Sequence, residues 1–156
     1  MARRRKAERI ELVPDPKFNS ELVATIINYT MRCGKKSTAE RIVYGALDEI
    51  AGKMDNPPLE VLVQAVDNMK PRVEVKSRRV GGSTYQVPVE TSRQRQMALA
   101  LRWLIAAAKT RRGVPMERAM AMELMDAFNN QGAVVRKRDE THRMAQANKA
   151  FAHYAW

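Results

Sequence analysis

Gly34-Lys35-Lys36-Ser37-Thr38 is the stretch of this chain that comes nearest to a catalytic phosphate loop. Such a loop needs a glycine five residues ahead of Gly34, where Tyr29 stands. It also needs Ser or Thr directly after Lys35, where Lys36 stands. No predicted strand precedes it, so nucleotide binding is rejected. A simpler chemistry survives. A Gly-containing turn feeding a helix start offers free amides and a favourable dipole to a phosphate, and Lys35 and Lys36 stand beside it. An RNA or DNA backbone phosphate is then a sensible ligand. The plain alternative is a helix–helix turn with solvated lysines.

The other reactive residue types form no constellation. Cys33 is the single cysteine, with only Arg32 and Lys35 nearby to favour a thiolate. A buried or incidental cysteine is expected rather than a nucleophile. His142 and His153 lack any cysteine or acidic ligand pattern beside them, so no metal site is expected. Asp48-Glu49, Asp126 and Asp139-Glu140 fall where solvent-facing or helix-start acids are ordinary. The sequence therefore predicts no catalytic residue, no metal, no cofactor and no enzymatic activity.

Cations carry the strongest signal. Lys plus Arg number 28 against 17 Asp plus Glu, a formal charge of +11 with a pI near 10.2. That balance favours polyanionic partners. Arg3-Arg4-Arg5-Lys6 and Arg9 form an N-terminal arm. Lys35-Lys36, Arg78-Arg79, Lys109 with Arg111-Arg112, and Arg136-Lys137-Arg138 fall at predicted loops or helix ends. One such run reads as solvated surface, but five in a small chain point to a shared ligand. Tyr85, Tyr154 and Trp156 offer planes for base stacking, although Tyr85 equally suits pairing across a ribbon. Trp103, next to Arg102, is either a second packing face or an RNA-side contact.

The elements that must position these residues are mostly helical. The 156 residues suit one domain, and 45% hydrophobic content argues against global disorder. Residues 1–19 read as a basic arm broken by Pro14 and Pro16. Asn19 or Ser20 caps a first helix with Leu22, Val23, Ile26, Ile27 and Thr30 on one stripe, ended by Gly34. Ser37 or Thr38 starts a second, with Ile42, Val43, Ala46, Leu47, Ile50 and Met54 inward. Asn56 caps a third, with Pro57 in its first turn and Leu59, Leu62, Val63 and Val66 buried. Thr91 with Gln94 makes a capping box for a fourth, striped by Met97, Leu101, Leu104, Ile105 and Ala108. Pro115 opens a fifth, with Met116, Met120, Leu124, Ala127 and Phe128 inward. Residues 133–148 read as a charged sixth, and 149–156 as a tail without evident structure.

Between helices three and four, residues 71–90 alternate as a β-hairpin. Val73 and Val75 lie on one run, Tyr85, Val87 and Val89 on the other, with Gly81-Gly82 between. All five apolar residues have odd numbers. Pairing odd with odd predicts a three-residue turn over 81–83 or a bulge near the tip. The expected fold is thus all-α in class: a single RNA-binding domain of about six helices with one projecting basic β-hairpin. No apolar run approaches the length of a transmembrane helix. The basic N-terminus leads into Glu-Leu-Val-Pro-Asp-Pro rather than an apolar signal core, so a cytoplasmic protein with no membrane partner is expected. Nothing reads as a self-association seam, so no homo-oligomer is expected.

Ser20-Glu21-Leu22, Ile26-Ile27, Gly34-Lys35-Lys36, Ile42-Val43 and Ala46 are spaced as in the bacterial form of the small-subunit ribosomal protein seven family, which this chain resembles. The Lys70-Pro71-Arg72-Val73-Glu74-Val75-Lys76 run, the Gly81-Gly82 hairpin and the Arg111-Arg112-Gly113 turn resemble it too. The resemblance implies direct binding to the 3′ major domain of small-subunit ribosomal RNA and nucleation of head assembly. It implies a hairpin near exit-site transfer RNA and messenger RNA, ribosomal protein eleven as a neighbour, and, in some members, repression of their own messenger. Carried onto this chain, RNA contacts fall on Arg3, Arg4, Arg5, Lys6, Arg9, Lys35, Lys36, Arg72, Lys76, Arg78, Arg79, Arg95, Arg102, Lys109, Arg111 and Arg112. The exit-site vicinity falls on Arg78, Arg79, Gly81, Gly82 and Tyr85. The competing reading is an architectural DNA-binding protein: helices one and two around Gly34 would pass for a helix-turn-helix, and the hairpin would enter a minor groove.

Overall fold

The computed structural model describes residues 12–154. Arg3, Arg4, Arg5, Lys6, Arg9 and Trp156 lie outside the described residues. The order is α1 (Glu21–Thr30), α2 (Lys36–Lys53), α3 (Pro58–Met69), β1 (Val73–Val80), β2 (Ser83–Glu90), α4 (Arg93–Thr110), α5 (Met116–Phe128) and α6 (Gly132–Ala147). A short 3-10 segment, Lys149–Tyr154, follows. The fold is mainly helical with one two-stranded antiparallel hairpin.

Helix α5 is the centre, packing against α2, α3, α4 and α6. It can do so because Ala119, Ala121 and Ala127 let neighbours approach, while Met120 and Leu124 fill the space between them. Met120, Leu124, Leu101, Leu104, Ile50 and Leu62 are each at most 1% exposed. Each such side chain stabilises the fold by about 1.5–3 kcal/mol relative to exposure. The predicted stripes of α1, α2, α4 and α5 face this core. In α3 the buried row is Val61, Leu62, Ala65, Val66 and Met69. Val63, predicted inward, is 49% exposed, because at about 100° per residue it falls outside the arc spanned by Val61, Leu62, Ala65, Val66 and Met69.

Ser20 stands at the N-cap of α1 as expected, but most other helix ends depart from the predicted caps. Ser20, Lys35, Pro57, Ser92, Pro115 and Gln131 occupy the N-cap positions, and none makes a side-chain cap hydrogen bond. Thr91 and Gln94 form no capping box: the cap is Ser92, and Thr91 instead accepts Gln96 Nε2 on its carbonyl at 2.8 Å. Pro58, not Pro57, takes the first position of α3. Helix α1 stops at Thr30, short of Gly34, and α2 already begins at Lys36.

The segment before α1 is tied down by Asp15. Its carboxylate is 3% exposed and accepts the backbone N–H of Lys17 and Phe18, each at 3.1 Å, and the Tyr44 hydroxyl at 2.6 Å. The carboxylate and burial together push the Tyr44 phenol up to about 12. Lys17 reaches Asp48 at 3.1 Å across the Phe18 and Tyr44 rings.

The hairpin register differs from the odd-with-odd expectation. Gly81 and Gly82 form a two-residue turn, with φ of 57° and 90°. Two positive φ values in succession are what a type I′ hairpin turn requires, and glycine supplies them without a Cβ clash. Glu74 therefore faces Val89, Val75 faces Pro88, Lys76 faces Val87 and Arg78 faces Tyr85. One face of the ribbon carries Glu74, Lys76, Arg78, Tyr85, Val87 and Val89, and the other carries Val73, Val75 and Pro88. Apolar residues on both faces of the stem are buried or partly buried, with Val87 and Val89 on one and Val73, Val75 and Pro88 on the other, so no single apolar side is needed. Helix α6 packs on both strands, and the 3-10 segment packs on β2.

Candidate nucleic-acid interface

Cations not matched by a carboxylate define a candidate interface, so the pairing of each predicted residue decides whether it is open to a phosphate. At the α1–α2 turn, Cys33 and Gly34 have φ of 51° and 73°. This left-handed pair closes the turn, with Lys35 N–H donating to the Arg32 carbonyl at 3.0 Å. Every residue from Arg32 to Thr38 is exposed. Cys33 is thus an exposed thiol rather than a buried one. Lys35 has no acidic partner among the described residues, and Lys36 lies 3.8 Å from Glu40, a contact too long and exposed to hold it. The α2 start carries no acid in its first turn. The positive end of the helix dipole and two lysines therefore face solvent together.

On the hairpin, Arg79 is exposed opposite Thr84, and Arg78 is half-buried opposite Tyr85. Tyr85 is not an open stacking platform. Its ring centroid lies 5.3 Å from that of Phe151 and 5.3 Å from that of Tyr154. Residues 149–154 of the aromatic tail, read as unstructured from sequence, form a 3-10 segment over β2. At the hairpin base, the N–H of Arg72 donates to His142 Nε2 at 3.0 Å, while the Arg72 side chain is exposed. Burial holds the His142 imidazole below its usual range, helped by the Arg138 and Arg72 charges and opposed by Asp139.

Two predicted RNA contacts converge on one carboxylate. Arg95 donates from Nε and Nη2 to Glu74 Oε2, both at 3.2 Å, and Lys76 Nζ meets Glu74 Oε1 at 3.2 Å. Burial alone would raise the Glu74 carboxyl, but these hydrogen bonds outweigh it and hold the group below its usual range. Arg111 is turned inward. Its Nε meets Glu123 Oε1 at 2.7 Å and its Nη2 meets Asp126 Oδ2 at 2.5 Å. These carboxylates raise the guanidinium pKa further, with the Glu123 hydrogen bond foremost. Asp126, expected to face solvent, does so at 42% exposure while also pairing with Arg111.

Helix α4 presents the densest remaining charge. Its residues include Arg93, Arg95, Arg102 and Lys109 and no acid at all. Among the described residues, only Arg95 of these is matched. Arg102 and Lys109, with Arg112 just beyond the helix end, are exposed and have no carboxylate partner among the described residues. Arg93, absent from the sequence-derived contacts, belongs with them, and so does Arg32 at the α1–α2 turn. The signal for Arg93 was available in the acid-free composition of α4.

Among the described residues, the predicted cations thus lie on three separate elements: the α1–α2 turn, the hairpin with its base, and α4 with its following turn. Groups of three or more His, Cys, Asp or Glu able to hold a metal ion are absent among the described residues. No helix among them is long and apolar enough to cross a membrane.

Comparison with known proteins agrees in kind. The family described as Ribosomal protein S7p/S5e matches residues 2–149. A small ribosomal subunit protein uS7 from Xanthobacter autotrophicus is 55% identical over 156 residues, covering all of both chains. Its namesake from Desulfotalea psychrophila is 57% identical over 157 residues, again covering both completely. One from Dictyoglomus turgidum is 55% identical over 156 residues with the same full coverage.

Proposed function

This chain belongs to the ribosomal protein S7p/S5e family, and from that premise we propose that it is a non-enzymatic structural component of the cytoplasmic small ribosomal subunit that binds ribosomal RNA by neutralising backbone phosphates. The observation that carries the RNA-binding reading is the set of exposed cations without carboxylate partners among the described residues, at Lys35, Arg79, Arg102, Lys109 and Arg112. They stand on three elements of a packed helical body, so several RNA segments are held at fixed relative angles. Lys36, Arg72, Arg78 and the arm residues Arg3, Arg4, Arg5, Lys6 and Arg9 extend the surface. Lys76 and Arg95, held by Glu74, brace the hairpin against α4 while keeping one edge toward RNA. Arg111 positions Arg112 rather than meeting a phosphate itself. A nuclease footprint on small-subunit RNA tests this. Protection is expected at several separated helices of the 3′ major domain. Equal binding of duplex DNA at matched salt would favour the architectural alternative.

The finer reading is that binding nucleates the subunit head and carries the hairpin tip, with Arg78, Arg79, Gly81 and Gly82, toward exit-site transfer RNA and messenger RNA beside ribosomal protein eleven. The exposed glycine tip with adjacent arginines supports it. Translational repression of its own messenger follows if that messenger mimics the ribosomal site. Replacing residues 78–84 by a short Gly-Ser link is expected to leave a cooperatively folding protein that still assembles with RNA. Reconstituted subunits should then handle exit-site transfer RNA or reading frame poorly, and normal handling would remove the role.

A further inference from the structure

Between α4 and α6 lies a shallow groove of about 280 Å³, floored by Ala106, Ala107 and Val134 and walled by Trp103, with Lys137 at its edge. Its lining is almost wholly apolar, yet its surroundings are not. Arg102, Ala106 and Lys109 follow one another at helical spacings of four and three residues, so both cations stand on the same side of α4 as the groove floor. Helix α4 has no acid, and the α6 carboxylate that pairs with Lys137 is Glu140, at 3.5 Å in a half-exposed pair of little strength. Trp103 is partly buried against the core, and its indole N–H has no hydrogen-bond partner among the described residues.

We propose that this groove takes an unstacked base of single-stranded ribosomal RNA, laid against the Trp103 ring, while Arg102, Lys109 and Lys137 hold the flanking phosphates. The inference rests on the RNA-binding reading above and adds a base-contacting subsite to it. The chemistry favours RNA over a protein segment. A flat ring needs only a narrow apolar slot, and the small alanine floor provides that rather than a deep pocket. The cationic rim matches the backbone that must accompany the base. Aromatic side chains with nearby guanidinium groups are the usual means by which proteins hold splayed bases.

The test uses Trp156→Phe protein, which leaves Trp103 as the sole tryptophan of the two, and a transcript of the 3′ major domain. On binding, Trp103 emission should be quenched and its accessibility to acrylamide should fall. Ala106→Leu fills the slot from an exposed helical position without touching the core. It should weaken RNA binding about tenfold while leaving the slope of log affinity against log salt unchanged, because a stacked base releases no counterions. Binding at full strength by Ala106→Leu, with Trp103 emission unaltered by RNA, would overturn the subsite while leaving the RNA-binding reading intact. No binding by the parent protein would instead defeat that reading itself. Protection of Trp103 only when protein neighbours are added would assign the groove to a protein segment and likewise overturn the proposal.

Discussion

Arg111 closes the α4–α5 corner by placing its Nε 2.7 Å from Glu123 Oε1. Glu123 is 3% exposed and sits on the central helix. The second oxygen of Glu123 is buried without a hydrogen-bond partner among the described residues, so the Arg111 contact is what compensates the charge.

Arg111→Ala should therefore destabilise the protein by roughly 2–4 kcal/mol, because it strands a buried carboxylate. Arg111→Leu with Glu123→Leu should recover much of that loss, since an apolar pair of similar volume removes the stranded charge. Urea titration of the three proteins reads both effects. Equal stability of Arg111→Ala and the parent would show that Glu123 finds another partner.

The sequence made the helices legible because their apolar residues repeat every three to four positions, and α5 shows the limit of that signal. Met120 and Leu124 were visible, but Glu123 lies between them as an ordinary acid until its partner from the preceding turn is known. Asp15 and Glu74 were hidden for the same reason: Tyr44 and Arg95 are remote in sequence. The hairpin was legible and its register was not. The turn chemistry of Gly81-Gly82 overrode the apolar alternation, which misleads when both faces of a ribbon carry apolar residues. The tail was illegible because its 3-10 segment, shorter than a stable helix, depends on a distant ring.

That ring is Tyr85, and its contacts give the second prediction. Packing with Phe151 and Tyr154 should contribute about 0.5–1.5 kcal/mol per aromatic pair. Deleting residues 149–156 or making Tyr85→Ala should speed amide hydrogen exchange in Ser83–Glu90 severalfold and leave α5 exchange unchanged. Unaltered exchange in β2 would show that the tail does not restrain the hairpin.

The third prediction concerns pH. His142 accepts the Arg72 N–H on Nε2, which requires the neutral ring, and its folded pKa is depressed. The unfolded chain, with a pKa near 6.5, binds the proton first. Its stabilising contribution is complete above about pH 6.5 and is lost as pH falls through the lower folded value. Urea midpoints should thus fall more between pH 7.5 and 5.5 for the parent than for His142→Gln. Parallel curves would contradict the assignment.

The central claim is that unmatched cations on separate elements bind RNA through its phosphates. Affinity for the 3′ major-domain RNA, measured from about 50 to 200 mM salt, tests it most directly. With about 6–10 phosphates contacted, the association constant should fall by a thousandfold or more along a straight log–log line. Charge-removing changes at Lys35, Arg102 or Lys109 should each make that line shallower by nearly one unit. A binding constant indifferent to salt would contradict the account.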